Sequence, residues 1–130
     1  MAQREIEIIL ARQLSNYLAL PVFLVNPDGN LIFYNEPAER ILGKSFEDTG
    51  EMPAAEWSTL FQPVDLSGNP LAAEQLPLMQ ALTLRQPAHD RFWIHGLDGM
   101  RRKIEVTAFP LIGMAGRFLG AMAFFWETPS

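Results

Sequence analysis

The stretch Pro21-Val-Phe-Leu-Val25-Asn-Pro-Asp-Gly-Asn30-Leu-Ile-Phe-Tyr-Asn35-Glu-Pro-Ala-Glu-Arg40-Ile-Leu-Gly43 decides the fold of this chain. It opens on a short β-rich run, Pro21 to Val25, which breaks at Asn26 to Asn30. There proline sets one φ and glycine permits a positive one, which is strong turn chemistry. Leu31 to Tyr34 is a second short run, so the two predict a β-hairpin. Asn35 is a good N-cap, Pro37 is tolerated in a first helical turn, and Gly43 is a natural stop. Between them Ala38, Ile41 and Leu42 give a short helix one apolar face.

Upstream, residues Arg4 to Leu18 carry apolar side chains at Ile6, Ile9, Leu10, Leu14 and Tyr17, with Ile8 and Leu18 widening the stripe. Intervals of three and four predict an amphipathic helix that stops before Pro21. Downstream, Lys44 to Leu71 reads as irregular, with a one-turn helix near Ala54 to Leu60. Pro77 starts a helix running to about Arg85, with Leu78, Met79 and Leu82 inward. The last third alternates: His89 to Leu97, a turn at Asp98-Gly99, Arg102 to Leu111, a loop at Gly113 to Gly116, then Phe118 to Trp126. The fold class is therefore α+β, a five-stranded antiparallel sheet with the helices of residues 35 to 85 on one face. Residues 1–20 form a flanking amphipathic helix and residues 21–127 the domain.

Composition narrows the function. The chain has 130 residues, 48% hydrophobic and 19% charged, enough for one core without staples. No apolar run approaches the ~20 residues of a membrane span, and the N-terminus does not read as a signal peptide, so a cytoplasmic location is expected. Zero cysteines exclude disulfides, thiol catalysis and cysteine metal sites. A net charge of -5 argues against nucleic-acid binding, which draws on phosphate contacts from basic residues. The one basic cluster, Arg101-Arg102-Lys103, reads as a solvated hairpin shoulder. No Gly-x-Ser-x-Gly, His-Glu-x-x-His or phosphate loop occurs, and the carboxylates Asp65, Asp90, Asp98 and Glu105 fall in turns or on outward parities, so no enzyme is expected.

The ordered set of motifs resembles the PAS (Per-Arnt-Sim) family. The hairpin Val22 to Tyr34 resembles the family's opening strands, and Asn35-Glu-Pro-Ala38 through Gly43 is similar to its "N-x-x-A-x-x-x-x-G" helix start. Ser45 to Gly50, Gly68-Asn-Pro70, Leu82, Leu97-Asp-Gly99, Val106 to Leu111, Gly116 and Gly120 follow in family order. One departure lies at the end, where Trp126-Glu-Thr-Pro129 stands in place of the family's Asp-x-Thr and Pro129 does not readily continue a helix. The resemblance implies a non-catalytic sensory or protein-interaction module of a bacterial-style signalling pathway.

The family's cofactors each need particular residues. A LOV-type flavin adduct and a thioester chromophore need cysteine, and haem needs an axial histidine on the helix before the third strand. That helix has none; His89 and His95 lie after it, with His95 on the parity opposite Phe92 and Ile94. No cofactor and no metal are expected. An apolar interior remains: Phe92, Ile94, Ile104 and Val106 from the strands, with Ile41, Phe46, Trp57, Leu60, Phe61 and Leu82 closing over them, and Tyr34 and Asn35 as polar handles. Nine phenylalanines and three tryptophans serve either a small apolar ligand pocket or a packed core, and both readings stand at this stage.

The N-terminal helix also reads two ways. Its stripe can cover its own sheet near Trp93, Met122 or Phe124, or pair through Ile6, Ile9, Leu10 and Leu14 with a second copy. The width of the stripe favours a homodimer. The rivals to a ligand-reading sensor are a purely structural dimerisation domain with a filled core, and a regulatory piece of a larger kinase, cyclase or transcription regulator.

Overall fold

The computed structural model describes residues 6–15 and 17–129; the side chains at positions 6, 7, 12 and 15 lie outside that description, and with them the expected contact of Ile6. The elements are α1 (Ile6–Ser15), β1 (Val22–Val25), β2 (Leu31–Tyr34), α2 (Glu36–Leu42), α3 (Phe46–Thr49), α4 (Ala54–Leu60), α5 (Pro77–Leu84), β3 (Ala88–His95), β4 (Arg101–Ile112) and β5 (Phe118–Glu127). Five antiparallel strands form one sheet in the order β2-β1-β5-β4-β3, so the two ends of the chain's strand sequence meet at its centre. The hairpin turn forms as the sequence predicts. Asn26 Oδ1 accepts from the backbone N–H of Asp28 and Asn30, both at 3.0 Å, and Gly29 supplies the positive φ of 89°.

The sheet is covered on both faces, and strand parity sorts the side chains. Phe23 and Val25 of β1 face α2 to α5, while Val22 and Leu24 face α1. Two bulges adjust this sorting. In β2, Val25 pairs with Leu31 and Leu24 with Phe33, so Ile32 is extra, and Leu31 and Tyr34 both reach the helical side. In β5, Leu111 pairs with Gly120 and Ile112 with Phe118, which turns Leu119 to the α1 side with Met122. Gly120 holds φ 125°, and a Cβ there would collide with the carbonyl of Val25.

Four expectations are corrected. The first helix ends at Ser15, short of Leu18. Its contact with the sheet is made by Ile8 and Ala11 among Met122 and Phe124; Trp93 instead carries the Arg101 guanidinium 4.1 Å over its ring. Within the stretch read as irregular, Ser45 caps a one-turn helix, α3, by accepting from Asp48 N at 3.2 Å, and α4 runs two turns. The Arg101-Arg102-Lys103 cluster is also more than a solvated shoulder. Arg102 grips Asp98 with two bonds of 3.2 and 2.9 Å and donates 2.8 Å to the carbonyl of Ile41 at the end of α2. The reason is topological: the β3–β4 turn folds over the C-terminus of α2, where Leu97 N–H also reaches the Leu42 carbonyl at 2.7 Å.

Candidate functional site

Between the sheet and the helices lies a cavity of about 80 Å³. The sheet supplies Phe23, Phe92, Ile94, Ile104, Val106, Ala123 and Phe125; α4 and the residues after it supply Trp57, Ser58, Phe61 and Pro63. Leu76, Pro77 and Leu78 enter from the start of α5, and Leu42 from α2. Every strand except β2 therefore contributes, because the inward parities of β1, β5, β4 and β3 line up across the antiparallel register.

Helix α4 is held over the cavity from two directions. The Trp57 indole donates 2.8 Å to the Gly29 carbonyl and meets the Phe23 ring edge-on, centroids 5.7 Å apart. Beyond α4 the chain runs along the free edge of β3. His95 N donates 2.7 Å to the Phe61 carbonyl, and Val64 and Trp93 exchange bonds of 2.9 and 2.8 Å. That segment ties α4 to the sheet and also covers an edge strand that would otherwise be open.

Among the side chains singled out from sequence, Trp57, Phe61, Phe92, Ile94, Ile104 and Val106 meet in this wall. Tyr34, Ile41, Phe46, Leu60 and Leu82 do not line it. Tyr34 lies toward α3: its hydroxyl donates 2.8 Å to the Lys44 carbonyl and sits 3.0 Å from Thr49 Oγ1, while its ring stacks on Phe23 and takes the edge of Phe46. Burial raises the pKa of that hydroxyl above its ordinary value, with the Thr49 bond opposing. Ile41, Leu60 and Leu82 pack half-buried at the rim of the same core.

Asn35 is not a ligand handle. Its Oδ1 accepts from Val22 N at 2.9 Å and Ala38 N at 3.2 Å, and its Nδ2 donates 2.9 Å to the Leu20 carbonyl, so the side chain clasps the entry of β1 to the start of α2.

Sequence reasoning missed Phe23, Leu42, Ser58, Pro63, Leu76, Pro77, Leu78, Ala123 and Phe125. Extending strand parity to β1 and β5 would have found Phe23 and Phe125. Ser58 carries no apolar signal; only its place on α4 beside Trp57, with Phe61 one turn on, puts it in the wall. No ionisable side chain lines the cavity. His89 lies outside it, 2.7 Å from Glu105 Oε2 and 3.0 Å from Thr107 Oγ1, and His95 is outside it too. Among the described residues no group of three His, Asp or Glu could hold a metal, and no helix is long and apolar enough to cross a membrane.

A family model described as PAS fold matches residues 16–128. The chain belongs to the PAS-fold family. PAS domains are sensory signal-transduction modules, generally without catalysis of their own. Solved PAS structures superpose over nearly the whole chain. The PAS domain of Bordetella pertussis BvgS matches with a TM-score of 0.69 at 14% identity, over 97% of this chain and 89% of that one. The Rhodobacter sphaeroides LOV protein gives 0.74 at 14%, over 96% and 69%. The PAS domain of nitrogen regulation protein NR(II) from Vibrio parahaemolyticus gives 0.62 at 19%, over 92% and 98%. At such identities the likeness concerns the fold alone. A search of curated proteins finds no match.

Proposed function

We propose that this PAS domain is a non-catalytic sensor that reads occupancy of its core and relays it by shifts in helix packing, through α1, to a second copy and a signalling partner. The observation that carries the reading is the cavity. Its wall is shared by the sheet and by α4 and α5, so an occupant touches both layers at once and can bias how one sits on the other. The occupant is a small apolar molecule. A flavin–cysteine adduct and an α5-ligated haem lie outside the proposal, because the chain has no cysteine and α5 no histidine, and about 80 Å³ is far below the ~300–1,000 Å³ of drug-sized sites that a bulky cofactor would need. Nucleic acid is no partner for a chain of net charge -5, and we place the module in the cytoplasm.

Pairing is proposed through α1. Ile8 and Ala11 face the sheet, yet Ile9, Leu10 and Leu14 are 42, 55 and 61% exposed. Three aliphatic side chains on one helix, left in water, suit a twofold contact with the same helix of another copy.

The small volume also favours a second reading, a structural dimerisation domain with a core that is essentially filled. Native mass spectrometry of protein purified from cells separates them. A mass excess that disappears on denaturation supports the sensor, and a clean polypeptide mass supports the filled core.

A further inference from the structure

Three exposed apolar side chains outside α1 share one end of the molecule. Met114 in the β4–β5 loop is 78% exposed, Ile112 at the end of β4 55%, and Leu84 at the end of α5 64%. Ile112 pairs in register with Phe118, and the Arg85 guanidinium lies 4.2 Å over the Phe118 ring, so the end of α5 abuts this loop. The loop has a defined shape. Gly113 N donates 2.7 Å to the Arg117 carbonyl, and Ala115 and Gly116 hold positive φ of 59° and 72°. Arg117 Nε donates 3.2 Å to the Met114 carbonyl, which keeps a second guanidinium beside the exposed thioether.

Charge sets this end apart from the rest of the chain. Residues 75–89 and 106–126 contain no Asp or Glu, and their Lys and Arg content is Arg85 and Arg117 alone. The chain as a whole carries -5, with six carboxylates between Glu36 and Glu56. Asp28 is an acidic group that comes toward this end, because its neighbour Gly29 lies close to Leu82 of α5. A hairpin tip is too small for a stable protein interface, which takes ~20–30 residues a side. It suits a lipid surface. Aliphatic side chains enter the acyl boundary while cations stay among anionic headgroups, and firm binding draws on both signals. The same headgroups repel the acidic remainder of the body, which turns this end toward the bilayer. We propose that the β4–β5 loop and the end of α5 dock the domain on an anionic membrane surface, with Ile112, Met114 and Leu84 entering the interface and Arg85 and Arg117 against the headgroups. The docking stands independently of the ligand-reading function, although α5 joins the two, entering the cavity wall at Pro77 and Leu78 and ending at Leu84.

The test is sedimentation of the full chain with sucrose-loaded vesicles, made of phosphatidylcholine alone or with about a third phosphatidylserine. Wild type sediments with the anionic vesicles and binds the neutral ones about tenfold more weakly, a difference that added salt removes. Ile112→Ser with Met114→Ser keeps a native circular dichroism spectrum, since both side chains are exposed, and loses about tenfold or more in affinity for the anionic vesicles. Arg117→Gln narrows the gap between the two compositions. Leu66→Ser binds as wild type does; that exposed leucine sits in the loop that Val64 ties to Trp93, near the opposite end of β4. A wild type that stays in the supernatant, or binds both compositions equally, overturns the proposal. An equal loss in Leu66→Ser overturns it too, by marking unspecific adhesion. Binding lost in Ile9→Glu with Leu10→Glu but kept in the loop variant assigns the membrane contact to α1 instead. A loop variant that binds vesicles normally but changes particle mass in light scattering makes this end a protein contact and sinks the lipid assignment.

Discussion

Trp57 Nε1 and the carbonyl of Gly29 are 2.8 Å apart, a buried hydrogen bond that joins α4 to the tip of the β1–β2 hairpin across 28 residues of chain. The same indole lines the cavity and meets the Phe23 ring edge-on. One side chain therefore touches the hairpin, the sheet and the candidate ligand space.

Replacing that indole tests the link. Trp57→Phe keeps an aromatic ring against Phe23 but leaves the Gly29 carbonyl without its donor. The expected loss is about 1–3 kcal/mol, the usual cost of stranding one buried polar group. Urea unfolding followed by far-UV circular dichroism measures it, and a change under ~0.5 kcal/mol would show that water replaces the indole at the turn.

Asn35 serves three backbone partners, and no other residue type matches them. Asn35→Ala removes a helix cap, worth about 0.5–2 kcal/mol, and strands Val22 N and the Leu20 carbonyl besides. Asn35→Asp keeps the cap but puts a carboxylate oxygen against the Leu20 carbonyl. Both variants should melt below wild type, with Ala the lower of the two at neutral pH; parity between Ala and wild type would mean the clasp is not formed in solution.

Strand parity in β4 makes a paired prediction. Val106 is buried in the cavity wall, so Val106→Asp buries an uncompensated carboxylate and should cost several kcal/mol, on the scale of the total stability. Lys103 lies on the other face, half-buried, paired in register with Trp93. Lys103→Asp should cost much less. Thermal melts that rank the two the other way would place the register one residue out.

The Asp98–Arg102 pair predicts an acid dependence. The two bonds from Arg102, with Met100 N donating to the same carboxylate, hold the Asp98 pKa at about 2, down from 3.8. A lowered carboxylate pKa stabilises the fold fully above the unfolded value, and the contribution drains away as pH falls from about 4 toward 2. Because Asp98 is exposed to solvent, the effect is modest and shrinks with salt. Melting temperatures between pH 5 and 2 should fall less steeply for Asp98→Asn than for wild type; identical slopes would remove the pair from the account.

The exposed aliphatic row of α1 makes a prediction about association. Burying each of Ile9, Leu10 and Leu14 against a second copy is worth roughly 1.5–3 kcal/mol, set against the entropy of association. Ile9→Glu with Leu10→Glu should dissociate the particle while circular dichroism stays native. Ile8→Glu, which enters the layer over the sheet, should lower the melting temperature instead. Light scattering that finds a monomeric wild type at tens of micromolar would refute the pairing.

How much of this was legible in the sequence follows from the range of each signal. The hairpin, the capped helix after it and the alternation of the last three strands rest on local chemistry: Gly29 in a positive-φ turn, Asn35 as a cap, Ile104, Val106 and Ala108 two apart. Those features act within a few residues, and the sequence by itself determined them, together with the sheet, the helices on one face and the absence of cysteine chemistry. The one-turn helix α3, capped by Ser45, carries a local signal of the same kind, though its stretch reads as irregular.

Tertiary structure decided what depends on distant segments. In sequence Tyr34 reads as a polar handle and Asn35 as a helix cap with a handle to spare, yet Lys44 and Thr49 engage the Tyr34 hydroxyl, and Val22 and Leu20 engage the Asn35 amide beyond its cap. Two bulges shift the parity of β2 and β5, which no alternation pattern announces. On α1 the apolar stripe was visible, but only docking on Met122 and Phe124 chose Ile8 over Ile9 and Leu10 for the sheet. Ser58 entered the cavity wall for the same reason: a serine carries no hydrophobic period to mark its side of the helix, and packing of α4 between Gly29 and the edge of β3 is what places it there.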